Sequence, residues 1–102
     1  MVIIKKATLT LFGKKHPDVY DALMDWYKKV NDADWQSFHD VREMFNSADS
    51  VGNDHYVFNI KGNKYRLVAM IFFDKRTIFI RFIGTHSQYD DIDASEIGRA
   101  HV

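Results

Sequence analysis

The chain has 102 residues, of which 46% are apolar and 15% aromatic, and it carries 14 basic and 14 acidic side chains, one proline and no cysteine. These values predict one small globular domain, over residues 1–96, and they exclude disulfide scaffolds, thiol nucleophiles and cysteine-bearing zinc ribbons. No apolar run approaches the roughly 20 residues that span a bilayer, and the first residues have no export signal. We therefore expect a cytoplasmic protein that acts away from membranes.

Charge is unevenly distributed along the chain, although the formal net charge is zero. Residues 55–86 hold six basic side chains and one acid, whereas residues 87–102 hold four acids and one arginine. Such a distribution produces a local basic field on a neutral protein. Many such segments are only solvated surfaces, so charge indicates an anionic ligand only in combination with other features.

The first half of the chain has the spacing of helices. Residues 1–4 predict a short strand, and the apolar residues between 7 and 12 predict the start of a helix. His16-Pro17-Asp18 predicts the start of a second helix, because proline suits the first helical position and an acid there opposes the dipole. Residues 37–40, SFHD, have the form of a capping box and predict a short third helix. Residues 46–54, NSADSVGND, predict a connecting loop.

The second half is rich in Val, Ile, Phe and Tyr, which predicts strands at residues 55–61, 64–73 and 77–84. Gly62-Asn63 predicts a two-residue hairpin turn between the first two strands, and residues 74–77 predict the second reversal. The sequence therefore predicts an α+β fold, in which an antiparallel meander packs against two or three N-terminal helices.

The predicted turns assign residues to the two faces of this sheet, because directly opposed residues share a face. The first turn places Asn59 opposite Arg66. Pairing Asp74 with Thr77 gives the further opposed pairs Met70–Arg81 and Arg66–Thr85. One face then gathers Asn59, Lys61, Lys64, Arg66 and Arg81 with the apolar residues Val57, Val68, Met70, Phe72, Phe79 and Ile83. The other face, which includes Phe82, is predicted to lie under the helices.

Cations, amides and the His86 imidazole are thus predicted to converge where the first hairpin turns and the last strand ends. This combination suits cleavage of RNA, in which a 2′-hydroxyl attacks its own phosphodiester, cations stabilise the developing charge and His or Tyr moves protons. That chemistry needs no metal or other cofactor, and His16, His39 and His55 lack HxxH or HExxH spacing. Each of these residues taken singly is more often structural or surface-exposed, so the prediction depends on their combination.

Three runs of sequence resemble one known family across nearly the whole chain. They are HPDVYDALMDWYKKVNDADW, SADSVGNDHYVFNIKGNKYRLVAMIFF and IFIRFIGTHSQYDDID, and they are similar to the HigB toxins of the RelE superfamily. The resemblance implies the toxin of a type II toxin–antitoxin pair, a ribosome-dependent and metal-independent endoribonuclease that cuts messenger RNA in the A site. It also implies a HigA-type antitoxin with a helix-turn-helix domain as partner, and no small-molecule cofactor.

The resemblance also implies roles for individual residues. Arg66 matches the superfamily arginine near the scissile phosphate, His86 lies where the catalytic residue after the last strand is found, and Tyr89 is the expected stacking or proton-transfer partner. The superfamily's best-known member has lysines where this chain has Val57 and Asn59, so His86 is the preferred proton-transfer residue here. The residues expected to contact RNA are Asn59, Lys61, Asn63, Lys64 and Arg81.

Two interpretations from other classes stay open on the residues alone. A binding module would use the same basic end as a non-catalytic RNA or ribosome platform and would leave messenger RNA intact. A small scaffold protein would carry its charges only for solubility, and its expression would harm no cell.

The last six residues have the sequence of a cloning artefact. Residues 97–102, IGRAHV, match one translated frame of a common sequencing adapter, and members of the family often stop shortly after the YDxID segment. We therefore expect this tail to be non-native, and a continuous genomic reading frame through Val102 would contradict that expectation.

Overall fold

The structure is a computed structural model that describes residues 1–92. The predicted α+β class is confirmed, with helices preceding a meander. In chain order the elements are β1 (Val2–Ile4), α1 (Lys6–Lys15), α2 (Pro17–Asp32), α3 (Phe38–Met44), β2 (Asp49–Gly52), β3 (His55–Ile60), β4 (Tyr65–Phe72), β5 (Thr77–Thr85) and α4 (His86–Asp90). The suspected tail at 97–102 and the predicted domain end at residue 96 lie outside the described residues.

The strands form one mixed sheet in the order β1-β5-β4-β3-β2. Strands β2 to β5 are antiparallel neighbours, and β1 is parallel to β5. The prediction of a loop over residues 46–54 is wrong in part, because Asp49 pairs with Val57 and Ser50 with Tyr56. An edge strand needs partners on one side only and tolerates bulges, so turn-forming residues can occupy it.

The predicted helix starts are confirmed, but the predicted cap of α3 is wrong. Ser37 is the N-cap residue, yet its side chain makes no capping hydrogen bond. The Asp40 carboxylate instead accepts a hydrogen bond from the backbone N–H of Gln36, at 2.8 Å. The contact therefore fixes the residue before the cap, which differs from the reciprocal pattern of a capping box.

The main core lies between α1 to α3 and one face of the sheet. Helix α2 is amphipathic and buries Val19, Leu23, Trp26 and Val30 on its inner side. Aromatic rings continue the core toward α3, where Trp35 stacks on Phe58 with 6.4 Å between ring centroids. The helices cover one face of the sheet, so the opposite face is available for contacts with other parts of the chain.

The first hairpin has the predicted register. Asn59 lies opposite Arg66, and Ile60 lies opposite Tyr65. Residues 61–64 form the turn, in which the Lys64 N–H donates to the Lys61 carbonyl at 3.3 Å.

The second hairpin departs from the prediction at its turn. Thr77 lies opposite Phe72 rather than Asp74, because the reversal takes up four residues, 73–76. The predicted partners are therefore wrong: Met70 pairs with Phe79 instead of Arg81, and Arg66, beyond a one-residue β-bulge in β5, pairs with Gly84 instead of Thr85.

A β-bulge in β5 changes which residues face the helices. Arg81 is the extra residue, opposite the step from Val68 to Ala69. Because a bulge shifts the alternation by one residue, Phe82 packs with Val68 on the face away from the helices, and Ile83 joins the main core. The predicted faces of Phe82 and Ile83 are therefore wrong, since turn residues alone do not encode a bulge.

Candidate active site

Arg66 occupies the face of the sheet away from the helices, near the start of β4. Its cross-strand neighbours are Asn59 and Gly84. The Nη1 group of Arg66 donates to the Asn63 carbonyl at 3.3 Å, and the guanidinium carbon lies 6.0 Å from the centroid of the Tyr89 ring. Arg66 is half-buried. A guanidinium held in this way presents its planar donors in a limited set of directions, which suits a phosphate oxygen.

The position of His86 is set by a cap that sequence reasoning missed. Thr85 caps α4: its hydroxyl accepts from the Gln88 N–H at 3.2 Å, and its own N–H donates to Gln88 Oε1 at 2.9 Å. This is a complete capping box, and the sequence THSQ has the S/T-x-x-E/Q form that identifies one. The signal was thus present at residues 85–88 and would have predicted a helix after the last strand.

His86 is the first residue of α4 and is held from two sides. Its backbone N–H donates to the Lys64 carbonyl at 3.2 Å. Its ring Nδ1 lies 3.0 Å from Asp90 Oδ2, one helical turn further on, and its side chain is 45% exposed. A carboxylate at Nδ1 favours the tautomer that leaves Nε2 as the free proton acceptor. Sequence reasoning did not single out Asp90, although the i, i+4 spacing from His86 is a readable signal.

Tyr89 attaches α4 to the face of the sheet away from the helices. Its ring packs against a small apolar cluster, separate from the main core, that is formed by Val57 and Val68 with Val51 and Phe82. This packing places the ring beside Arg66. The structure therefore brings Arg66, His86 and Tyr89 to one end of the sheet, while their chemical roles stay a prediction.

Lys61 and Lys64 turn toward the helices instead of sharing the face of Arg66. The Lys61 ammonium donates to the Asp18 carbonyl at 2.7 Å, and the Lys64 ammonium donates to Asp18 Oδ2 at 3.0 Å. The predicted shared face is wrong for these two groups. Both residues belong to the turn, outside the paired ladder, and Lys61 has a φ of 53°, so strand alternation does not apply to them.

Asp18 and Tyr65 complete this second cluster. The Tyr65 hydroxyl donates to Asp18 Oδ2 at 3.0 Å. The hydrogen bond from Lys64 lowers the pKa of Asp18, and the same bond raises the pKa of Lys64. Burial, followed by the hydrogen bond to Asp18, raises the pKa of Tyr65. Sequence reasoning treated Asp18 only as a helix-start residue and did not predict this contact.

Of the other predicted RNA-contacting residues, two lie at this end of the sheet, and Arg81 lies in the middle of β5. Asn59 is half-buried beside Arg66, and Asn63 is exposed in the turn. Arg81, in the bulge, lines an open cavity of about 380 Å³ between α1 and β5, with Lys15 on its opposite wall.

The histidines first considered as metal ligands are dispersed. His16 stacks on Phe12, and His55 is buried with Nδ1 2.8 Å from the Asn53 carbonyl. Across residues 1–92, no group of three or more His, Asp or Glu side chains is arranged to hold a metal ion. None of the helices in that range has the length and apolar character needed to cross a bilayer.

The fold and this end of the sheet define a small α+β protein with a site suited to an anionic ligand. A family model described as HigB toxin, RelE-like toxic component of a toxin–antitoxin system, matches residues 19–92. The "mRNA interferase HigB" of Escherichia coli O6:H1 is 30% identical over 94 residues, which are 90% of this chain and 91% of the relative. The "mRNA interferase toxin HigB" of Escherichia coli K12 is 30% identical over 92 residues, 88% of each chain.

The chain therefore belongs to the HigB toxin family, and it is the toxin of a toxin–antitoxin system. The resemblance inferred from the sequence is confirmed.

Proposed function

We propose that this toxin is an endoribonuclease that cleaves messenger RNA in the ribosomal A site and needs no metal ion. Its relatives carry the name mRNA interferase, which supports messenger RNA as the substrate. The observation that carries the proposal is the placement of Arg66, Tyr89 and the Asp90-paired His86 at one end of the sheet. A fixed guanidinium, an aromatic ring and an oriented imidazole are the groups that cleavage by a 2′-hydroxyl needs.

In the proposed reaction the 2′-oxygen of the RNA attacks the adjacent phosphorus atom, and the bond from phosphorus to the 5′-oxygen breaks. A 2′,3′-cyclic phosphate and a free 5′-hydroxyl result. Arg66 stabilises the charge that develops on the phosphate oxygens. His86 takes the proton of the attacking 2′-hydroxyl at Nε2 and gives a proton to the departing 5′-oxygen, and Tyr89 stacks on a base or assists the transfer.

The remaining polar residues would bind RNA around this centre. Asn59 lies beside Arg66 and would orient the sugar or phosphate, and Asn63 and Arg81 would contact flanking groups. Lys61 and Lys64 keep 44% and 60% of their side chains exposed while they contact Asp18. Each ammonium group can therefore still meet a phosphate, which supports the proposed contact with the RNA backbone.

The ribosome would supply the geometry that this site lacks. The basic end carries few cationic side chains to hold the RNA. In-line attack requires the sugar, the phosphate and the leaving group to be aligned, and this alignment lowers the activation barrier by several kcal/mol. We therefore propose the ribosome as an essential partner in the cytoplasm. A HigA-type helix-turn-helix antitoxin would inhibit by covering the basic end or by clamping the helical layer.

Cleavage of messenger RNA positioned on ribosomes tests the proposal. Toxin that has been treated with EDTA and then freed of the chelator should cut message on programmed ribosomes in a buffer whose only divalent cation is the magnesium that the ribosome needs. The same toxin should leave naked message largely intact. Rapid cutting of naked message at low toxin concentration would contradict ribosome dependence. Intact message on the ribosome would instead favour a binding-only protein.

A further inference from the structure

The turn at residues 61–64 holds two of the residues on which the proposed chemistry depends, Arg66 and His86. The Asn63 carbonyl accepts from Arg66 Nη1 at 3.3 Å, and the Lys64 carbonyl accepts from the His86 N–H at 3.2 Å. These two acceptors are backbone atoms of adjacent residues. A shift of the turn would therefore displace the guanidinium and the start of α4 together.

Few interactions within the turn itself stabilise its conformation. Lys61 and Gly62 both have positive φ, at 53° and 66°, and this conformation is unfavourable for a residue with a side chain such as Lys61. The hydrogen bond that closes the turn, from the Lys64 N–H to the Lys61 carbonyl, is long at 3.3 Å. All four turn residues are exposed, so burial does not fix them.

Asp18 supplies the missing anchor from the first turn of α2. Its carbonyl and carboxylate receive three donors from the hairpin: Lys61 Nζ at 2.7 Å, Lys64 Nζ at 3.0 Å and the Tyr65 hydroxyl at 3.0 Å. Tyr65 is only 3% exposed, so one of these donors is itself rigidly placed. The three contacts join the helical layer to both sides of the turn.

We propose that Asp18 is a positioning residue for RNA cleavage, because it holds the turn whose carbonyls place Arg66 and His86. The inference rests on the proposed function. None of the contacts described for residues 1–92 joins Asp18 directly to Arg66 or His86, so Asp18 acts through the turn. The lysines serve in this arrangement as anchors of the turn as well as phosphate-binding groups.

The test compares Asp18→Ala with Asp21→Ala, which removes an exposed acid from the same helix. Amide hydrogen exchange is followed at His86, with the fully buried Val68 of β4 as an internal reference for global stability. Message cleavage on programmed ribosomes gives the maximal rate and the half-saturating ribosome concentration. Asp18→Glu, which keeps a carboxylate near the turn, serves as the conservative variant.

Asp18→Ala should speed exchange at His86 by about tenfold more than exchange at Val68, where any change reports the loss of global stability. It should lower the maximal cleavage rate by about three- to tenfold, with less than about a twofold change in half-saturation, because misplaced groups slow chemistry more than binding. Asp18→Glu should recover most of the rate, and Asp21→Ala should behave as wild type.

A folded Asp18→Ala toxin with wild-type exchange at His86, or with a wild-type maximal rate, would overturn the inference. A change in the half-saturating ribosome concentration with a wild-type maximal rate would also overturn the inference. Lys61 and Lys64 would then affect only binding. If the wild-type toxin leaves message intact on the ribosome, the proposed function fails. Exchange at His86 would still show whether Asp18 holds the turn.

Discussion

The guanidinium group of Arg66 lies over the ring of Tyr89, with 6.0 Å between the guanidinium carbon and the ring centroid. This contact joins β4 to α4, and the hydrogen bond to the Asn63 carbonyl holds the guanidinium from a second direction. The ring face attracts the cation and limits its movement. Arg66 is thus partly preorganised before RNA arrives.

Replacing Arg66 with alanine should reduce message cleavage by about 10²- to 10³-fold, the usual cost of losing one preorganised donor to a developing charge. Arg66→Lys should recover little of this activity, because a point charge cannot reproduce the planar fork. The cleavage rate on programmed ribosomes is the measurement. Arg76→Ala is the control, since Arg76 pairs with Asp34 at the far end of β5 and should leave the rate unchanged. An active Arg66→Ala toxin would place charge stabilisation elsewhere.

Loss of the His86 imidazole should reduce cleavage by about 10²- to 10⁴-fold, which is the range of general acid–base catalysis. Asp90→Asn should cause a smaller loss, because it removes the charge beside Nδ1 but keeps the imidazole. The exposed neighbour Asp91 provides the control substitution Asp91→Asn. Growth inhibition in cells and cleavage in vitro should fall together for His86→Ala. Full toxicity of a folded Arg66→Ala, His86→Ala double variant would show that the chemistry lies elsewhere on the chain.

Gly84→Ala should destabilise the fold by about 1–3 kcal/mol, because the added methyl group meets packed atoms. A Cβ at this position would lie 2.6 Å from Phe82 Cζ and 2.7 Å from Gln88 Oε1, and the latter oxygen caps α4. Urea unfolding measures the change in free energy. Gly62→Ala is a useful comparison, since no atom beyond its own residue and its two chain neighbours lies within 4 Å of its Cβ position, so its cost comes from a φ of 66°. A Gly84→Ala change below about 0.5 kcal/mol would contradict the crowding argument.

The contribution of Asp18 to stability should depend on pH. The hydrogen bond from Lys64 lowers the folded-state pKa of Asp18 below its ordinary value of 3.8. Its stabilising effect is therefore fully present above that value and is lost as pH falls through the lowered folded-state pKa. Thermal unfolding of wild type and Asp18→Ala should show a constant difference in Tm between about pH 5 and 8 and a shrinking one below about pH 4. A difference that persists unchanged at pH 2 would show that the ion pairs do not carry the effect.

The parts of the fold that local sequence determines were predictable. Proline at the start of α2 and the turn residues of the first hairpin act through their own backbone preferences, so the start of α2 and the pairing of Asn59 with Arg66 follow from them. The bulge at Arg81 and the strand at residues 49–52 depend on tertiary pairing that no short motif specifies. The errors in the faces of Phe82 and Ile83 arose at the bulge, whereas the register error began at the turn over residues 73–76.

In the site, too, features set by local sequence were predictable and features set by tertiary packing were not. Arg66, His86 and Tyr89 could be assigned to one end of the sheet because the hairpin register and the end of β5 place them there. The contact of Lys61 and Lys64 with Asp18 spans more than 40 residues of sequence and depends on how α2 packs, so strand alternation gave the wrong side for both lysines. The THSQ capping box was a local signal that sequence reasoning overlooked.

Helix α4 has five residues, and two of them, His86 and Tyr89, carry proposed catalytic roles. A helix this short is not stable by itself in water and depends on its cap and on its packing against the sheet. Fraying of this single turn would withdraw the imidazole from Asp90 and the aromatic ring from Arg66 in the same event. The toxin can therefore lose its proton-transfer and stacking groups together through a local transition, with the main core intact.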